Sequence, residues 1–282
     1  MRHSILLLLS LTCATASFGQ ASAPRVIANV GLVGSECIRY DAAADRYVIS
    51  NLNGSDAGFV SIVTPEGAVE KLKWIDGGAS NLADPLGLFI AGNRIYLADV
   101  DTVRVYDRQS GTPVSAIPVP GAQRLNDLAV APDGTIYVTD SAKPAQPGAL
   151  YRISTKGKVS EWVARNDALE KPNGIAVMPD GTIVHGGRGV NLVFRDSSGR
   201  ILRERTLPTG RIDGIVALAN GGLLVASQDG HAVYHVAPNN GAITQVAKDI
   251  EVPAAIGYDS KRNRLIVPQI KAASLTFVDL PN

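Results

Sequence analysis

Short segments of alternating apolar and polar residues recur along the chain, separated by turn sequences. The clearest copy runs from Arg124 to Asp140, where two such segments flank the turn sequence Pro132-Asp133-Gly134. Proline presets φ for a turn and glycine tolerates a positive φ, while alternation with a period of two is typical of a β-strand. The copy therefore predicts a hairpin of two short strands. Apolar residues rarely recur at helical spacing, and so we expect almost no helix.

The same unit returns along the whole chain. Its copies begin at Glu36, Leu86, Asn126, Asn173, Asp213 and Ala254, which lie 50, 40, 47, 40 and 41 residues apart. Each copy continues through a turn into a second strand, and further strand-like segments follow. Repeats of roughly 40–50 residues with four strands each are typical of the blades of a β-propeller. The sequence therefore predicts an all-β fold, a six-bladed β-propeller with four-stranded blades.

The two ends of the chain suggest how the ring closes. The copy that begins at Ala254 supplies only three strands, whereas a strand-like segment from Arg25 to Val30 precedes the first copy. We expect this N-terminal strand to pair into the last blade, which would remove an open sheet edge. No linker or shift of composition interrupts the repeats, and residues 24–282 are predicted to form a single domain.

Composition and charge narrow the class of protein. The chain has 282 residues and a formal net charge of +1, and it contains no basic run that would indicate binding to nucleic acid. Residues 1–23 have the polar start, apolar run and small residues of a signal peptide, with cleavage between residues 16 and 23. The apolar run is shorter than the about 20 residues that a membrane span needs. These features predict a periplasmic or secreted protein without a membrane span, and we expect a monomer.

The first residue of each repeat is the main candidate for chemistry. Because the first strand of a propeller blade lines the central channel, these six positions should meet at one end of it. Four of them carry oxygen donors: Glu36, Asn126, Asn173 and Asp213. Carboxylate and amide oxygens without nitrogen or sulfur favour a hard cation, Ca²⁺ first, with Mg²⁺, Mn²⁺ or Zn²⁺ as alternatives. Any one of these residues could merely cap a turn, but all four at one repeat position favour a shared metal site.

At this point the sequence resembles a known family. Arg124-Leu-Asn126-Asp127, Pro172-Asn173-Gly174 and Asp213-Gly214, with Glu36 upstream, are similar to motifs of the gluconolactonase and regucalcin-like (senescence marker protein type) propellers. The resemblance covers essentially the whole chain after the signal peptide. It implies one divalent cation held by Glu36, Asn126, Asn173 and Asp213, with Arg124 in contact with a small-molecule substrate. It also implies hydrolysis of a sugar lactone or related ester, in which Asp213 is both a ligand and the general base.

Other residues and other functions stay open. Asp140 and Gln228 end second strands, and we expect both near the site as substrate-binding residues. Cys37 has no accompanying Cys/His motif and is interpreted as a packing residue rather than a nucleophile. A non-catalytic propeller that uses the cation as a structural pin and binds a small ligand or protein is the alternative function. A propeller with neither metal nor catalysis is a third, against which the four oxygen donors argue.

Overall fold

A computed structural model of the chain describes residues 23–238 and 241–281. Residues 1–22 of the predicted signal peptide lie outside this part of the chain. The described residues form 24 strands in six four-stranded antiparallel sheets, which confirms the predicted six-bladed β-propeller. Helical structure among them is restricted to the single turn α1 (Gly77–Ser80) and a 3-10 turn at Asp167–Leu169. None of the helical segments in these ranges has the length and apolarity to cross a membrane.

Each blade is a sheet whose strands follow one another from the central axis outwards. The first blade consists of β2 (Ser35–Asp41), β3 (Arg46–Asn51), β4 (Phe59–Val63) and β5 (Val69–Asp76). The second consists of β6 (Pro85–Ala91), β7 (Arg94–Asp99), β8 (Thr102–Asp107) and β9 (Pro113–Pro118). The third consists of β10 (Leu125–Val130), β11 (Ile136–Asp140), β12 (Gly148–Ile153) and β13 (Val159–Asn166). The fourth consists of β14 (Ile175–Val177), β15 (Ile183–His185), β16 (Asn191–Arg195) and β17 (Ile201–Thr206). The fifth consists of β18 (Ile212–Ala217), β19 (Leu223–Ser227), β20 (Ala232–Val236) and β21 (Ile243–Ala247). The last consists of β22 (Gly257–Asp259), β23 (Arg264–Gln269), β24 (Ser274–Asp279) and β1 (Arg25–Ile27).

The N-terminal strand closes the ring as predicted. Strand β1 pairs antiparallel with β24, in a register that sets Arg25 opposite Phe277 and Ile27 opposite Leu275. It ends earlier than the predicted Val30, because Asn29 has a φ of 59° and Gly31 a φ of 87°, which turn the chain away from an extended path. The last blade therefore has its fourth strand, and no outer strand position is left unpaired at the joint.

The core lies between neighbouring blades. Second strands such as β3 and β19 are buried almost throughout, polar residues included, because both faces of the sheet are covered by adjacent blades. One cluster between the fourth and fifth blades packs Leu192 and Phe194 against Ile212 and Val225. By contrast, every residue of the outermost strand β17 is exposed. This packing holds the innermost strands rigidly side by side around the axis.

Candidate functional site

The four predicted ligands line one cavity of about 370 Å³ at the end of the propeller where the innermost strands begin. Glu36 belongs to β2, Asn126 to β10 and Asp213 to β18, while Asn173 lies just before β14. Side chains separated by up to 177 positions in the sequence therefore meet, as the shared repeat position predicts.

Irregular strand pairing sets the direction of three of these side chains. The register between innermost and second strand is interrupted from Ser35 to Cys37, from Leu125 to Leu128, and from Ile212 to Ile215. Glu36, Asn126 and Asp213 lie inside these interruptions. Bulged positions of this kind re-aim a side chain relative to the regular alternation of a strand, and they are common beside functional sites. The repeat thus carries a bulge as well as an oxygen donor at this point.

Glycine after the ligand lets neighbouring innermost strands approach. A Cβ on Gly174 would overlap the backbone carbonyl oxygen of Asp213, which belongs to the next blade. The backbone of Asn173 is fixed from the other side, since its N–H donates to Gly186 O at 2.8 Å and its carbonyl accepts from Thr139 Oγ1 at 2.6 Å. The Asn173-Gly174 dipeptide is therefore explained by close packing around the axis.

Side-chain amides orient the carboxylate of Asp213. Gln228 Nε2 donates to Asp213 Oδ2 at 2.6 Å, and Asn173 Nδ2 donates to the same oxygen at 3.3 Å. On the other side of the site, Asn126 Nδ2 donates to Ser141 Oγ at 3.3 Å. Because the amide NH₂ groups are used in these bonds, the amide oxygens are the atoms available to a cation.

Among the residues that line the cavity, three buried acceptor oxygens have no donor in the described part of the chain. They are Glu36 Oε2, Asn173 Oδ1 and Asp213 Oδ1. A buried polar atom without a partner costs about 1–3 kcal/mol, and such atoms are rare in folded proteins. Three of them, all acceptors, from three blades and lining one cavity, fit a bound cation. The residues present therefore match the divalent cation that the sequence predicts.

The electrostatics of the site point the same way. Burial raises the pKa of Glu36 to about 7, an effect that Arg124 opposes and Asp127 and Asp84 reinforce. Burial also raises the pKa of Asp213 well above its usual range, and the nearby carboxylates of Glu36 and Asp127 raise it further. Two buried carboxylates that share a site resist ionising together. A divalent cation between them would favour the ionised form of both.

The candidate site is a mixed set of carboxylates and amides. Within residues 23–238 and 241–281 there is no cluster of three or more His, Cys, Asp or Glu side chains able to hold a metal ion. The metal assignment consequently depends on Asn126 and Asn173 as carbonyl donors, which suits Ca²⁺ better than a metal that prefers nitrogen or sulfur.

The predicted substrate-binding residues separate into two groups. Arg124 and Gln228 line the cavity, and the Arg124 side chain is 49% exposed, with Nη2 3.8 Å from Asp84 Oδ2. Asp140 does not line the cavity. Its buried carboxylate accepts from the N–H groups of Arg124 at 2.8 Å and Ala142 at 2.9 Å, and it pairs with Arg165 at 2.6 Å. Asp140 therefore holds the backbone that leads into Asn126, and its carboxylate is engaged with the protein rather than facing the cavity.

Two buried groups that could react are used structurally. Leu88 N–H donates to Cys37 Sγ at 3.2 Å, and burial raises the pKa of the thiol to about 12, as the packing interpretation requires. His185 Nε2 accepts from Arg195 Nε at 2.9 Å. Burial, together with the charge of Arg195, lowers the pKa of His185 to about 3. Neither side chain lines the cavity.

Sequence reasoning missed two sets of residues near the site. An ion pair on the axis joins Arg39 Nη2 to Asp127 Oδ1 at 3.4 Å, and Arg39 also donates to Ile256 O at 2.8 Å. Charged residues in an otherwise apolar innermost strand were the available signal. Three further positively charged residues line the cavity beside Arg124, namely Lys171, Arg188 and Arg211.

Comparison with solved structures shows a shared fold. A gluconolactonase from Xanthomonas campestris is 21% identical, with 94% of this chain and 91% of that chain covered and a TM-score of 0.73. A calcium-binding regucalcin from Agrobacterium tumefaciens is 19% identical, with coverage of 91% and 92% and a TM-score of 0.66. A catalytically inactive virginiamycin B lyase from Staphylococcus aureus, solved with quinupristin, is 15% identical, with coverage of 92% and 99% and a TM-score of 0.62.

Sequence comparison gives the family. No curated protein matches the chain. The sequence model of the SMP-30/Gluconolactonase/LRE-like region, however, matches residues 35–267, which extend from the first innermost strand to the second strand of the last blade. The chain therefore belongs to the SMP-30/gluconolactonase/LRE-like family.

Proposed function

We propose that the protein is a divalent-cation-dependent hydrolase of a sugar lactone or a related ester. The observation that carries the proposal is the convergence of Glu36 Oε2, Asn173 Oδ1 and Asp213 Oδ1, buried acceptors without donors, beside one open cavity. Membership of a gluconolactonase-like family supports lactone hydrolysis in general. The calcium-binding neighbour of the same fold supports Ca²⁺ as the first cation to test, ahead of Mg²⁺, Mn²⁺ and Zn²⁺.

Glu36, Asn126, Asn173 and Asp213 would hold the cation. When bound, a divalent cation supplies Lewis acidity, which polarises a carbonyl and stabilises the negative charge that develops on its oxygen. Four protein ligands leave coordination positions for water and substrate, since Ca²⁺ takes six to eight oxygens.

Asp213 is the proposed general base. Its Oδ2 accepts from Gln228 and Asn173, which fixes the carboxylate plane, and its Oδ1 has no donor among the described residues. Asp213 takes a proton from the water whose oxygen attacks the carbonyl carbon. The ring C–O bond then breaks, and the proton that Asp213 took from the water passes to the leaving alkoxide, which gives a hydroxy acid.

Arg124 and Gln228 act around this step. The guanidinium of Arg124 is half-exposed at the cavity, and its one ion pair among the described residues is a 3.8 Å contact with Asp84, so its donors can turn to substrate oxygens. Gln228 acts through Asp213 as a positioning residue as well as part of the cavity wall. Export to the periplasm or medium and a monomeric state, expected from the sequence, remain predictions alongside this mechanism.

The test is a panel of lactones and simple esters assayed on chelator-treated protein before and after Ca²⁺ is restored. We expect turnover only with the cation, and a loss of at least about tenfold in Asn126→Ala. Asn93→Ala changes an exposed asparagine outside the cavity and serves as the matched control. Hydrolysis that survives chelation and Asn126→Ala alike would refute the mechanism. Cation binding without any turnover would favour the alternative, a metal-pinned binding protein.

A further inference from the structure

Positively charged side chains line one side of the cavity. Arg124, Lys171 and Arg211 line it, and each stands two residues before a predicted ligand, namely Asn126, Asn173 and Asp213 respectively. They come from three consecutive blades. The residue two before Glu36 is Gly34, so the pattern does not extend to the first blade. The mouth of the cavity is therefore basic on the side of the third to fifth blades.

Arg188 also lines the cavity, where the fourth and fifth blades meet. We call Arg124, Lys171, Arg188 and Arg211 together the arc. The N–H of Arg188 donates to Glu170 O at 2.6 Å, and the carbonyl of Arg188 accepts from the N–H of Arg211 at 3.0 Å. The Arg211 carbonyl in turn accepts from the N–H of Gln228 at 3.0 Å. Backbone hydrogen bonds thus connect Arg188 to the residue beside Lys171, to Arg211, and onward to the residue that orients Asp213.

Two residues of the arc have an uncommon backbone conformation. Lys171 has a φ of 55° and Arg211 a φ of 52°, in the left-handed region that residues other than glycine, Asn and Asp seldom occupy. Such conformations persist only where the surroundings impose them. Arg188 bonds to the backbone of Arg211 and to Glu170, the residue before Lys171, and so connects the two points of the cavity rim.

The positive charge of the arc is only weakly neutralised inside the protein. Arg211 Nε lies 3.7 Å from Asp229 Oδ1, but both side chains are about half-exposed, and exposed pairs of this kind contribute little. Lys171 Nζ donates to the neutral carbonyls of Lys143, at 2.7 Å, and Gln146. No ion pair involves Arg188 within the described part of the chain.

We propose that the substrate is an anion, a lactone or ester that carries a carboxylate or phosphate group besides the bond to be cleaved. Arg188, Arg211 and Lys171 hold this oxyanion, while the carbonyl lies at the Glu36–Asp213 side of the cavity. The inference rests on the proposed function and narrows it to a substrate class. Guanidinium groups match planar oxyanions with paired hydrogen bonds, and a basic mouth also draws an anionic substrate in from solution.

A matched pair of substrates tests the preference during turnover. One is a neutral sugar lactone and the other the same ring with a free carboxylate, and a lactone with a phosphate monoester separates phosphate from carboxylate. We expect kcat/KM with Ca²⁺ to favour an anionic member by about tenfold or more. In Arg188→Gln and Arg211→Gln that ratio falls about tenfold, and in wild type it shrinks as salt is raised. Lys156→Gln, at an exposed turn outside the cavity, keeps the wild-type ratio.

Binding of ring-opened acids provides a readout that needs no turnover. By calorimetry, the sugar dicarboxylate or the phosphorylated monocarboxylate should bind about tenfold more tightly than the plain monocarboxylate, and this margin should disappear in Arg188→Gln. Equal binding of all three, or a margin unchanged in both arginine variants, would overturn the inference. Cleavage of neutral lactones without an anionic preference would overturn the inference and leave the proposed function unchanged. Tighter binding of the acids with a second anionic group, without cleavage of any lactone, would support the anion site and contradict the proposed function.

Discussion

Gln228 Nε2 donates a 2.6 Å hydrogen bond to Oδ2 of Asp213. The same oxygen also accepts from Asn173, whereas Oδ1 of the carboxylate has no donor among the described residues. One half of Asp213 is therefore engaged with the protein and the other half is available for chemistry. This division of the two oxygens gives Asp213 a fixed orientation at the cavity.

Replacing Gln228 should impair the chemical step more than substrate binding. In Gln228→Leu the shorter of the two bonds to Asp213 Oδ2 is lost, and we expect kcat to fall by about 10-fold to 100-fold with a smaller change in KM. Steady-state kinetics on the best substrate of the lactone panel measures both constants. Gln109→Leu, at an exposed turn, is the control. A rise in KM with kcat unchanged would mean that Gln228 acts only as a substrate contact.

Adding one methyl group at Gly174 should disturb both stability and the site. The new Cβ would overlap the carbonyl oxygen of Asp213, so the fourth and fifth blades would have to move apart at the axis. We expect Gly174→Ala to lower the free energy of unfolding by about 1–3 kcal/mol, and to weaken cation binding with it. Urea denaturation and calorimetry measure the two effects.

Gly78→Ala gives the matched comparison, because Gly78 is exposed in α1 and a Cβ there would meet only Asp76 Oδ1 at 3.4 Å. Its stability should stay within about 0.5 kcal/mol of wild type. If Gly174→Ala behaved like this control, close approach of the innermost strands would not be what requires glycine after Asn173.

His185 should make stability depend on pH below neutrality. Burial and the charge of Arg195 lower the pKa of His185 to about 3, whereas the pKa of this side chain in the unfolded protein is about 6.5. As pH falls below about 6.5 the unfolded chain takes up a proton that folded His185 does not, so stability is lost with falling pH. Above that pH the group is neutral in both states and contributes no slope.

Urea denaturation at pH 6.5 and pH 5 measures this slope. We expect wild type to lose about 2 kcal/mol more than His185→Gln across that interval, since glutamine can still accept from Arg195 but does not titrate. His231→Gln, which changes an exposed histidine, should keep the wild-type slope. Identical slopes for wild type and His185→Gln would show that the side chain is protonated as easily in the folded state as in the unfolded one.

The fold and the convergence of the four ligands could be predicted from the sequence because both are properties of the repeat. One residue per copy occupies the same place in the ring, so Glu36 and Asp213 could be assigned to one site without knowing any contact between them. Lys171 and Arg211 occupy the same repeat position as Arg124, and reading that position around the ring would have identified them.

Other features depend on contacts that no spacing encodes. Asp140 has the residue type and position of a pocket carboxylate, yet three backbone N–H groups and Arg165 take up its oxygens. Asp99 ends the equivalent strand of the second blade and likewise accepts from the N–H groups of Ala83 and Asp84. An aspartate at the end of a second strand is therefore a device for holding the loop before the next innermost strand, which a single sequence does not distinguish from a ligand.

Calorimetric titration of chelator-treated protein with Ca²⁺ shows whether Glu36, Asn126, Asn173 and Asp213 together bind a cation. We expect saturable binding of about one ion per chain. Binding should be lost or strongly weakened in Glu36→Gln, Asn126→Ala, Asn173→Ala and Asp213→Asn, and unchanged in Asn93→Ala. The absence of saturable binding by Ca²⁺, Mg²⁺, Mn²⁺ or Zn²⁺, or binding of the same strength in wild type and all four ligand variants, would contradict this expectation.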